Sequence, residues 1–489
     1  MLFLTKLFPE ITIKSRPVRR RFIKTLRKNI RSVLAEFDEN ISVTGEWDSI
    51  EVESECNDPR IIEQVGERLT RIPGISVVMP VDKYPLPDME GIYTLAQQYY
   101  SEKLVGKTFA VRCKRSGRHG FKSVDVERYV GGGLHEHSEA AGVKLVNPDV
   151  TVALEIRDDY LYIVKDRRRG LGGFPLGTQD SVLSLISGGF DSSVSSYLCM
   201  KRGLQTHYCF FNLGGREHEL AVKEVALFLW MKYHSSHRVK FVSVPFEEVV
   251  KEILLRVDNS QMGVVLKRLM IRAADRVAEK LGIQALVTGE SVAQVSSQTL
   301  ANLAVIDAVS ENLVLRPLST TNKQEIIDIA RVIGTEEFSK NIPEYCAVIS
   351  KKPTTRARLE RIEREESRFD FSVLDDSINN AKYQLITEVA EDIDRDVAEV
   401  EIVGEVEANA TVIDIRHPSE LELKPLELEW TLETVELLKI PFYELRSTFE
   451  SLDRDQRFLL YCDKGMMSRL HAAHLRDEGF SNVAVLDLR

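Results

Sequence analysis

The sequence predicts a chain of several domains that combine α/β and α+β folds, with a doubly wound parallel sheet in the middle. Its 489 residues are more than one hydrophobic core organises, so three or more domains are expected. Strand patterns near 182–186, 206–211, 239–244 and 284–288 alternate with helical stretches, which is typical of such a sheet. A β-α-β-β-α-β order precedes this region, and a compact αβ pattern follows it.

The first region predicts a small ferredoxin-like domain. Its strands are expected over 1–7, 41–53 and 75–80, and its helices over 17–36 and 59–69. Further along, an Arg- and Gly-rich stretch indicates a linker, and 354–400 is charged and predicted to be largely helical. The predicted boundaries are 1–80 for the ferredoxin-like domain, 81–167 for a second domain, 168–181 for the linker, 182–395 for the parallel-sheet domain and 402–489 for the last domain.

Composition and charge exclude several classes of protein. With 43% hydrophobic and 29% charged residues, no membrane-length apolar run and an early Lys6, the chain predicts a soluble protein without a signal peptide. Its six cysteines show no paired spacing, which argues against a zinc site or a disulfide framework and predicts a reducing, cytoplasmic compartment. The net charge is −10, yet 6–31 is strongly basic, with Glu10 as its only acid. This segment predicts either polyanion docking or a solvated helix face.

The hexapeptide 187–192 carries the strongest chemical signal. A strand, a turn of small residues and a helix place successive backbone N–H groups around one concavity, which favours an anion. Gly188 and Gly189 let the backbone approach a pyrophosphate, and Asp191 can hold the Mg²⁺ that accompanies a nucleotide. The spacing differs from that of a Walker loop. Read alone, the hexapeptide also fits an ordinary strand-to-helix turn.

Three further stretches are expected at the same edge of the sheet, because ligands of doubly wound sheets bind at the carboxyl ends of the strands. Lys267 and Arg268 open a predicted helix and can neutralise phosphate charge. The stretch 288–291 ends a predicted strand, and Arg316 precedes the next helix. A solvated helix lysine is the alternative for Lys267.

Two of the six cysteines have surroundings that favour chemistry. Cys462 ends a predicted strand and opens a turn before a helix, where backbone N–H groups can lower the thiol pKa and hold a persulfide. Asp463 beside it opposes thiolate formation. Cys346 lies in a proline-marked loop after the nucleotide-binding sheet. A buried structural thiol is the alternative for both, and it is the expected state of Cys56, Cys113, Cys199 and Cys209.

Together these features resemble the tRNA 4-thiouridine synthetases, also called thiamine-biosynthesis sulfurtransferases, in their long form with a C-terminal rhodanese domain. The resemblance runs the whole length and includes the pyrophosphate loop at 187–192 and the Pro-Glu-Tyr-Cys loop at 343–346. It identifies 81–167 as a THUMP RNA-binding domain, 182–395 as a pyrophosphate-loop ATP-binding domain and 402–489 as rhodanese-like. One departure is Met467-Ser468, where a Cys-x-x-Gly-x-Arg rhodanese loop would carry arginine, which argues against thiosulfate as the sulfur donor.

The resemblance implies an ATP-dependent sulfur transfer. The enzyme would adenylate the C4 oxygen of uridine 8 in tRNA, split ATP to AMP and pyrophosphate near Asp191, and deliver sulfur from a persulfide on Cys462. Cys346 would either take up that sulfur or attack the persulfide, leaving a Cys346–Cys462 disulfide for a thiol reductant to reopen. A cysteine desulfurase would supply the sulfur. The rhodanese-like part would also serve the small sulfur-carrier protein of thiazole synthesis.

The resemblance also implies the binding residues. ATP, with Mg²⁺ held through the nucleotide and not at a dedicated protein site, would contact Leu185, Ile186, Ser187, Gly188, Gly189, Asp191, Ser192, Lys267, Gly289 and Gln298. The first two domains are expected to bind the RNA at a fixed distance, so that one uridine lies over the ATP site. Their RNA-binding residues would be Arg19, Arg20, Lys24, Arg112, Lys114, Arg115, Arg118 and Lys122.

Two other functions share parts of this pattern. Amidating synthetases and lysidine-forming ligases share the pyrophosphate loop but have no use for Cys462 or Cys346, and the chain shows no glutaminase domain for the amidating members. A non-catalytic RNA-binding protein with a decayed nucleotide loop would neither turn over ATP nor respond to cysteine alkylation. The intact loop at 187–192 argues against that reading. The sequence leaves the oligomeric state open, a homodimer included.

Overall fold

The computed structural model describes residues 1–45, 47–213, 215–340, 342, 352–389, 400–406, 410–416, 421, 426, 436–462, 466–477 and 479–488. The chain divides into two compact units, Met1–Pro175 and Leu176–Arg489. Within the described ranges, no helix combines the length and the apolar character needed to cross a membrane.

The first unit is built on one sheet with helices packed against it. Its strands are β1 (Leu2–Leu7), β2 (Ser42–Thr44), β3 (Ser49–Glu53), β4 (Ile75–Pro85), β5 (Thr108–Ser116), β6 (Gly142–Val143), β7 (Val150–Arg157), β8 (Tyr160–Val164) and β9 (Arg168–Arg169). Its helices are α1 (Pro9–Thr12), α2 (Arg16–Leu34), α3 (Pro59–Thr70), α4 (Met89–Leu104) and α5 (Ser123–His137). The strand order is β2-β3-β1-β4-β8-β7-β5-β6, and β9 pairs with β4.

The predicted ferredoxin-like order is present, with a hairpin of β2 and β3 where the sequence suggested one strand over 41–53. Helix α2 packs on this part of the sheet because Phe22, Leu26 and Ile30 recur at helical spacing and are buried. The strand expected over 75–80 continues to Pro85. Its first half pairs with β1 and its second half with β8, so one strand joins the two halves of the unit.

The second unit contains two separate sheets. Its strands are β10 (Ser181–Leu185), β11 (Gln205–Asn212), β12 (Lys240–Pro245), β13 (Ala285–Val287), β14 (Leu313–Leu315), β15 (Lys382–Leu385), β16 (Ile402–Val403), β17 (Ala410–Asp414), β18 (Leu437–Lys439), β19 (Arg457–Tyr461) and β20 (Val483–Leu486). Its helices are α6 (Phe190–Lys201), α7 (Gly215–Leu229), α8 (Glu247–Arg256), α9 (Met262–Leu281), α10 (Leu300–Asp307), α11 (Lys323–Ile333), α12 (Glu336–Lys340), α13 (Leu359–Glu366), α14 (Phe371–Asn379), α15 (Phe442–Phe449) and α16 (Met466–Asp477).

The first of these sheets has the order β14-β13-β10-β11-β12-β15. The four predicted strands are parallel, as expected, and β14 adds a fifth parallel strand. Strand β15 pairs antiparallel with β12, so the segment predicted to be largely helical also contributes an edge strand. The order reverses beside β10, whose carboxyl end therefore faces the crevice where ligands bind in such sheets. The second sheet, β16-β20-β19-β17-β18, is parallel throughout its described pairs.

One buried carboxyl makes the stability of the second unit sensitive to pH. Burial raises the pKa of Glu224 in α7 to about 8, from an ordinary value of 4.5. The folded protein therefore keeps this proton in a range where the unfolded chain releases it, and stability falls as the pH rises from about 4.5 to about 8.

Glu224→Gln, a neutral mimic of the protonated acid, is expected to raise Tm relative to the parent at about pH 9 and to leave it nearly unchanged at about pH 5. Circular dichroism melts check this, with the exposed Glu248→Gln as control. The same Tm difference at both pH values would contradict it.

Candidate active site

The hexapeptide 187–192 forms a tight turn at the carboxyl end of β10 and opens α6. Gly188 adopts φ +80°, and a Cβ added there would lie 2.5 Å from Ile342 and 3.1 Å from Val222. Inside the turn, the backbone N–H of Ser187 donates to Oγ of Ser192 at 3.1 Å. No side chain caps the start of α6 at Gly189. The N–H groups of the first helical turn are thus available to an anion such as a pyrophosphate.

The Asp191 carboxylate is held by two side chains that sequence reasoning did not assign to it. Nζ of Lys323 donates to one oxygen at 2.8 Å, and Nε2 of Gln294 donates to the other at 2.8 Å. Lys323 is the first residue of α11, and Gln294 lies in the turn region after β13. The sequence does contain a signal for Lys323, because this residue begins a helix beyond the carboxyl end of β14, where ligands of such sheets bind. The arrangement places an ammonium group beside the predicted phosphate loop.

Gly289 lies against the start of α6, where its lack of a side chain is required. A Cβ at this position would lie 2.5 Å from the carbonyl carbon of Asp191 and 2.7 Å from the backbone nitrogen of Ser192. Both contacts are with backbone atoms, so no side-chain rotation relieves them. The structure thus gives Gly289 a packing role at the predicted ATP site, while its contact with ATP stays a prediction.

Gly289→Ala is therefore expected to weaken ATP binding by about tenfold or more, because overpacking of about 1–3 kcal/mol has to be relieved by shifting the loop. Titration calorimetry with ATP measures this. The matched control is Gly263→Ala in α9, where an added Cβ meets no atom within 4 Å. Equal affinities of Gly289→Ala and the parent would contradict a close fit between this strand end and the loop.

The two neighbouring cations of α9 have different partners. Nζ of Lys267 donates to Glu290 at 2.6 Å, and Arg316 donates to the other oxygen of the same carboxylate at 2.9 Å. Burial opposes ionisation of Glu290, but the two cations hold its pKa below the ordinary value. Arg268 is buried and pairs with Glu366 at 2.7 and 2.9 Å. The interpretation of Arg268 as a phosphate contact is therefore wrong, while Lys267 lies within the network at the end of β13.

The remaining predicted ATP contacts line the same strand ends. Leu185 is the last residue of β10, and the N–H of Ile186 donates to the carbonyl of Cys209 at 2.9 Å. The side chain of Gln298 is buried, and its Oε1 has no hydrogen-bond partner in the described part of the chain. A buried acceptor without a partner is costly, so it favours a ligand that donates a hydrogen bond here. The residues present therefore fit a nucleotide.

Cys462 directly follows β19 and is buried, with 9% of its surface exposed. Its Sγ accepts the backbone N–H of Ser468 at 3.3 Å and lies 3.4 Å from the hydroxyl of that residue. Ser468, one of the two residues of the Met467-Ser468 departure from the rhodanese pattern, thus contacts the sulfur. Residues 463–465, including Asp463, lie outside the described part. A sulfur held by an N–H at the start of a helix is an arrangement that favours the thiolate.

The other cysteines differ from Cys462 in their surroundings. Burial raises the pKa of Cys113 to about 11 and that of Cys199 to about 12, and it also raises the pKa of Cys209. These thiols stay protonated near neutral pH and pack in the hydrophobic cores. Cys346 lies in 343–351, outside the described residues, so its predicted pairing with Cys462 stays a prediction. Among the cysteines that the structure describes, none forms a disulfide.

The first unit contains a basic cavity beside α2. Its volume is about 200 Å³, and the guanidinium of Arg19 lies 4.2 Å from the ring centroid of Trp47. An exposed aromatic ring among cations is typical of surfaces that bind nucleic acid. The cavity brings together three predicted RNA contacts, and it is lined by Arg16, Arg19, Arg20, Ile23, Lys24, Arg27, Gly45 and Trp47.

The other predicted RNA contacts lie on and after β5. Arg112 and Lys114 are exposed at alternate positions of that strand, and Arg112 donates to the carbonyl of Leu145 at 2.5 Å. Arg115 contacts Nδ1 of His119 at 2.9 Å, while Arg118 and Lys122 are exposed in the turn that follows. Their RNA-binding role stays a prediction. As for metals, the described residues contain no group of three or more His, Cys, Asp or Glu side chains that could hold an ion.

Comparison with known families divides the chain in the same order. The family described as "Thiamine biosynthesis protein (ThiI)" matches residues 177–371, and the THUMP domain matches 87–166. The "ThiI ferredoxin-like domain" matches 5–78, and the rhodanese-like domain matches 401–488. The recognition of the family from its motifs and the mixed α/β fold class are therefore confirmed.

Similar proteins cover the whole chain. A tRNA sulfurtransferase of Shewanella halifaxensis is 55% identical over 99% of both chains, and one of Escherichia coli K12 is 53% identical over the same shares. Among solved structures, a 4-thiouridine synthetase in complex with RNA and bound ATP aligns with a TM-score of 0.69 and 26% identity, covering 78% of this chain and 99% of that one. The chain therefore belongs to the tRNA sulfurtransferase family.

Proposed function

We propose that the protein replaces the C4 oxygen of uridine 8 in tRNA with sulfur, at the expense of ATP, to give 4-thiouridine. The observation that carries this proposal is the presence, in one compact unit, of an anion-binding loop with the Asp191–Lys323 pair and of a thiol held by a backbone N–H at Cys462. Activation of an oxygen requires the anion-binding loop, and delivery of sulfur requires the thiol. Relatives named tRNA sulfurtransferases over their full length support the same chemistry.

The activating step uses the loop at 187–192. The C4 oxygen of uracil is a poor leaving group, so it attacks the α-phosphate of ATP and pyrophosphate departs. The first turn of α6 and Lys323 would stabilise the negative charge on the leaving pyrophosphate, because both present N–H donors in a partly buried site. ATP would bind as its complex with Mg²⁺, and Asp191 supplies the carboxylate within the phosphate loop 187–192.

The sulfur-transfer step begins with a persulfide on Cys462, formed when a cysteine desulfurase donates a sulfur atom. The terminal sulfur attacks C4, a C–S bond forms, and AMP leaves with the former C4 oxygen. Cys346 then attacks the Cys462 sulfur, so the S–S bond to the nucleotide breaks and thiouridine is released. The transferred sulfur is reduced as the two cysteines are oxidised to a disulfide, which an external thiol reopens. In the alternative order, the sulfur passes first to Cys346 as a persulfide, whose terminal sulfur attacks C4 as AMP leaves. The Cys462 thiol then attacks the Cys346 sulfur to release thiouridine and form the same disulfide.

The first unit supplies the RNA surface in this proposal. The cavity beside α2 and the exposed cations of β5 offer phosphate contacts, and Trp47 offers a ring face. Such contacts read the shape of a folded RNA more than its sequence. The thiamine description of the matched family supports a second role of the rhodanese-like region, which is sulfur transfer to the small carrier protein of thiazole synthesis.

Nucleoside mass spectrometry tests the proposal directly. Unmodified tRNA is incubated with the protein, Mg-ATP, cysteine and a cysteine desulfurase, then digested. We expect 4-thiouridine at position 8, together with AMP and pyrophosphate. Absence of thiouridine with continued formation of AMP would mean that the substrate or the nucleophile is wrong, whereas absence of both would exclude the activation chemistry.

A further inference from the structure

Three aromatic rings join the two sheets of the second unit. Phe442, the first residue of α15, stacks on Phe338 of α12 with ring centroids 4.6 Å apart and an angle of 29° between the rings. Phe228 of α7 lies 6.2 Å from Phe442 and 5.1 Å from Phe338. All three rings are buried, with exposures of 6–8%. We call these three rings the aromatic seat.

A polar pair accompanies the aromatic seat on the same two faces. The ring of His471 in α16 lies 6.0 Å from that of Phe442, and its Nε2 is 3.6 Å from Oε1 of Glu224 in α7. Glu224 and Phe228 are four positions apart on α7 and therefore occupy one face of that helix. Aromatic and polar contacts thus join the same pair of surfaces, as they do in specific interfaces.

On the rhodanese-like side, the aromatic seat is connected to the edge that carries Cys462. The N–H of Phe442 donates to the carbonyl of Ile415 at 2.8 Å, and the N–H of Ile415 donates to the carbonyl of Tyr461 at 3.0 Å. Tyr461 is the residue before Cys462. Helix α16, which contributes His471, also contains Ser468, whose N–H donates to Sγ of Cys462. A shift of the aromatic seat would therefore move the sulfur.

On the nucleotide side, two rings of the aromatic seat belong to α7 and α12, and these two helices also contact the phosphate loop. Ser339, next to Phe338 in α12, donates its hydroxyl to the carbonyl of Gly188 at 2.9 Å. Val222 of α7 packs where a side chain at Gly188 would lie. Helix α12 also leads by way of Ile342 into the segment that contains Cys346. Both elements that hold Phe442 thus contact the turn that is predicted to bind pyrophosphate.

We propose that the aromatic seat positions the rhodanese-like region for sulfur delivery, and that Phe442 is a positioning residue for the transfer of sulfur from Cys462 to the activated nucleotide. The inference rests on the proposed function. Phe442 contacts no reacting atom and acts by holding the Cys462 edge against the support of the phosphate loop. Adenylation and the loading of Cys462 with sulfur do not require the aromatic seat, because each uses groups on one side of it only.

The test separates these steps in the full-length protein. Cys462 is loaded by a desulfurase and cysteine, loading is measured by intact mass, and a single turnover with tRNA and Mg-ATP is followed by nucleoside mass spectrometry. Phe442→Ala and Phe338→Ala are each expected to slow thiouridine formation by about tenfold to hundredfold, the loss typical of misplaced reacting groups. The rates of pyrophosphate release, which reports adenylation, and of persulfide loading should match those of the parent.

Further variants separate positioning from loss of structure. Phe442→Leu keeps a large apolar side chain and should recover much of the rate. The double variant Phe442→Ala, Phe338→Ala should be no slower than either single variant, because both changes remove the same contact. Phe371→Ala, which alters a partly exposed ring outside the aromatic seat, is the matched control and should behave as the parent.

Two results would overturn the inference. In the first, Phe442→Ala transfers sulfur as fast as the parent. In the second, the double variant loses the product of the two single losses, which would show that the two rings act independently. A parent protein that forms no thiouridine would contradict the proposed function instead, so the two failures are distinguishable.

Discussion

Replacing Cys462 by serine is expected to lower 4-thiouridine formation by about 10³-fold or more, the order of loss seen when a nucleophile is removed. Serine is close to cysteine in size and can still accept the N–H of Ser468, so the contact with the start of α16 should persist. It cannot carry a persulfide. The reaction should therefore stop after activation, with tRNA-dependent release of pyrophosphate retained while no sulfur enters the RNA.

The measurement combines nucleoside mass spectrometry with an assay for pyrophosphate. Cys56→Ser is the matched control, because Cys56 is a free, partly exposed cysteine outside the second unit. It should leave both products unchanged. If Cys462→Ser still thiolates tRNA at the rate of the parent, sulfur reaches the nucleotide by another route. Cys346 would then be the first residue to test.

The second large effect is expected at the phosphate loop. Asp191→Asn removes the negative charge that holds Nζ of Lys323 at 2.8 Å and leaves that ammonium group without its ion-pair partner. We expect AMP formation to fall by about 10²-fold, the typical cost of losing one element of a preorganised charge-stabilising site. Persulfide loading of Cys462 should be unaffected, since the cysteine belongs to the other sheet.

Pyrophosphate release and intact-mass measurements of the loaded protein check the two parts of this prediction. Asp180→Asn, a change at an exposed acid in the same unit, is the control and should retain the parent activity. An Asp191→Asn protein that activates tRNA normally would contradict the role of the Asp191–Lys323 pair. A variant that loses persulfide loading as well would indicate damage beyond the phosphate loop.

The repeated alternation of strand and helix made the parallel sheet of the second unit predictable. Its four central strands are apolar runs that tertiary contacts reinforce. Strand β15 was not predictable in this way, because Lys382–Leu385 is a short polar stretch that becomes a strand only by pairing with β12. The continuation of β4 past Pro80 was missed for the same reason, since its second half depends on β8.

The candidate site was predictable where its chemistry lies in one stretch of sequence. The loop at 187–192 and the stretch around Cys462 each combine a strand end with a helix start, and the structure describes the loop and, at Cys462, the end of β19 and the start of α16. The charge pairing was not predictable, because Lys323 and Asp191 are 132 positions apart and Arg268 and Glu366 are 98 apart. Lys267 and Arg268 are adjacent in sequence, yet one lies at the strand ends and the other in the core. Their different roles follow from the direction in which each side chain leaves α9.

Strand β4 has a consequence for how the first unit behaves as a piece of protein. Because its two halves complete two parts of one sheet, a cut just after Pro85 would leave β8 with an unpaired edge of Tyr160–Val164, most of it buried in the intact chain. Such edges recruit strands from other molecules, so a fragment starting after the cut would be prone to aggregate. The two halves would also lose the hydrogen bonds between Lys6 and Glu155 and between Tyr162 and Glu51. The whole first unit should therefore be expressed as one fragment. It should also be exchanged between related proteins, and retained in evolution, without a break inside it.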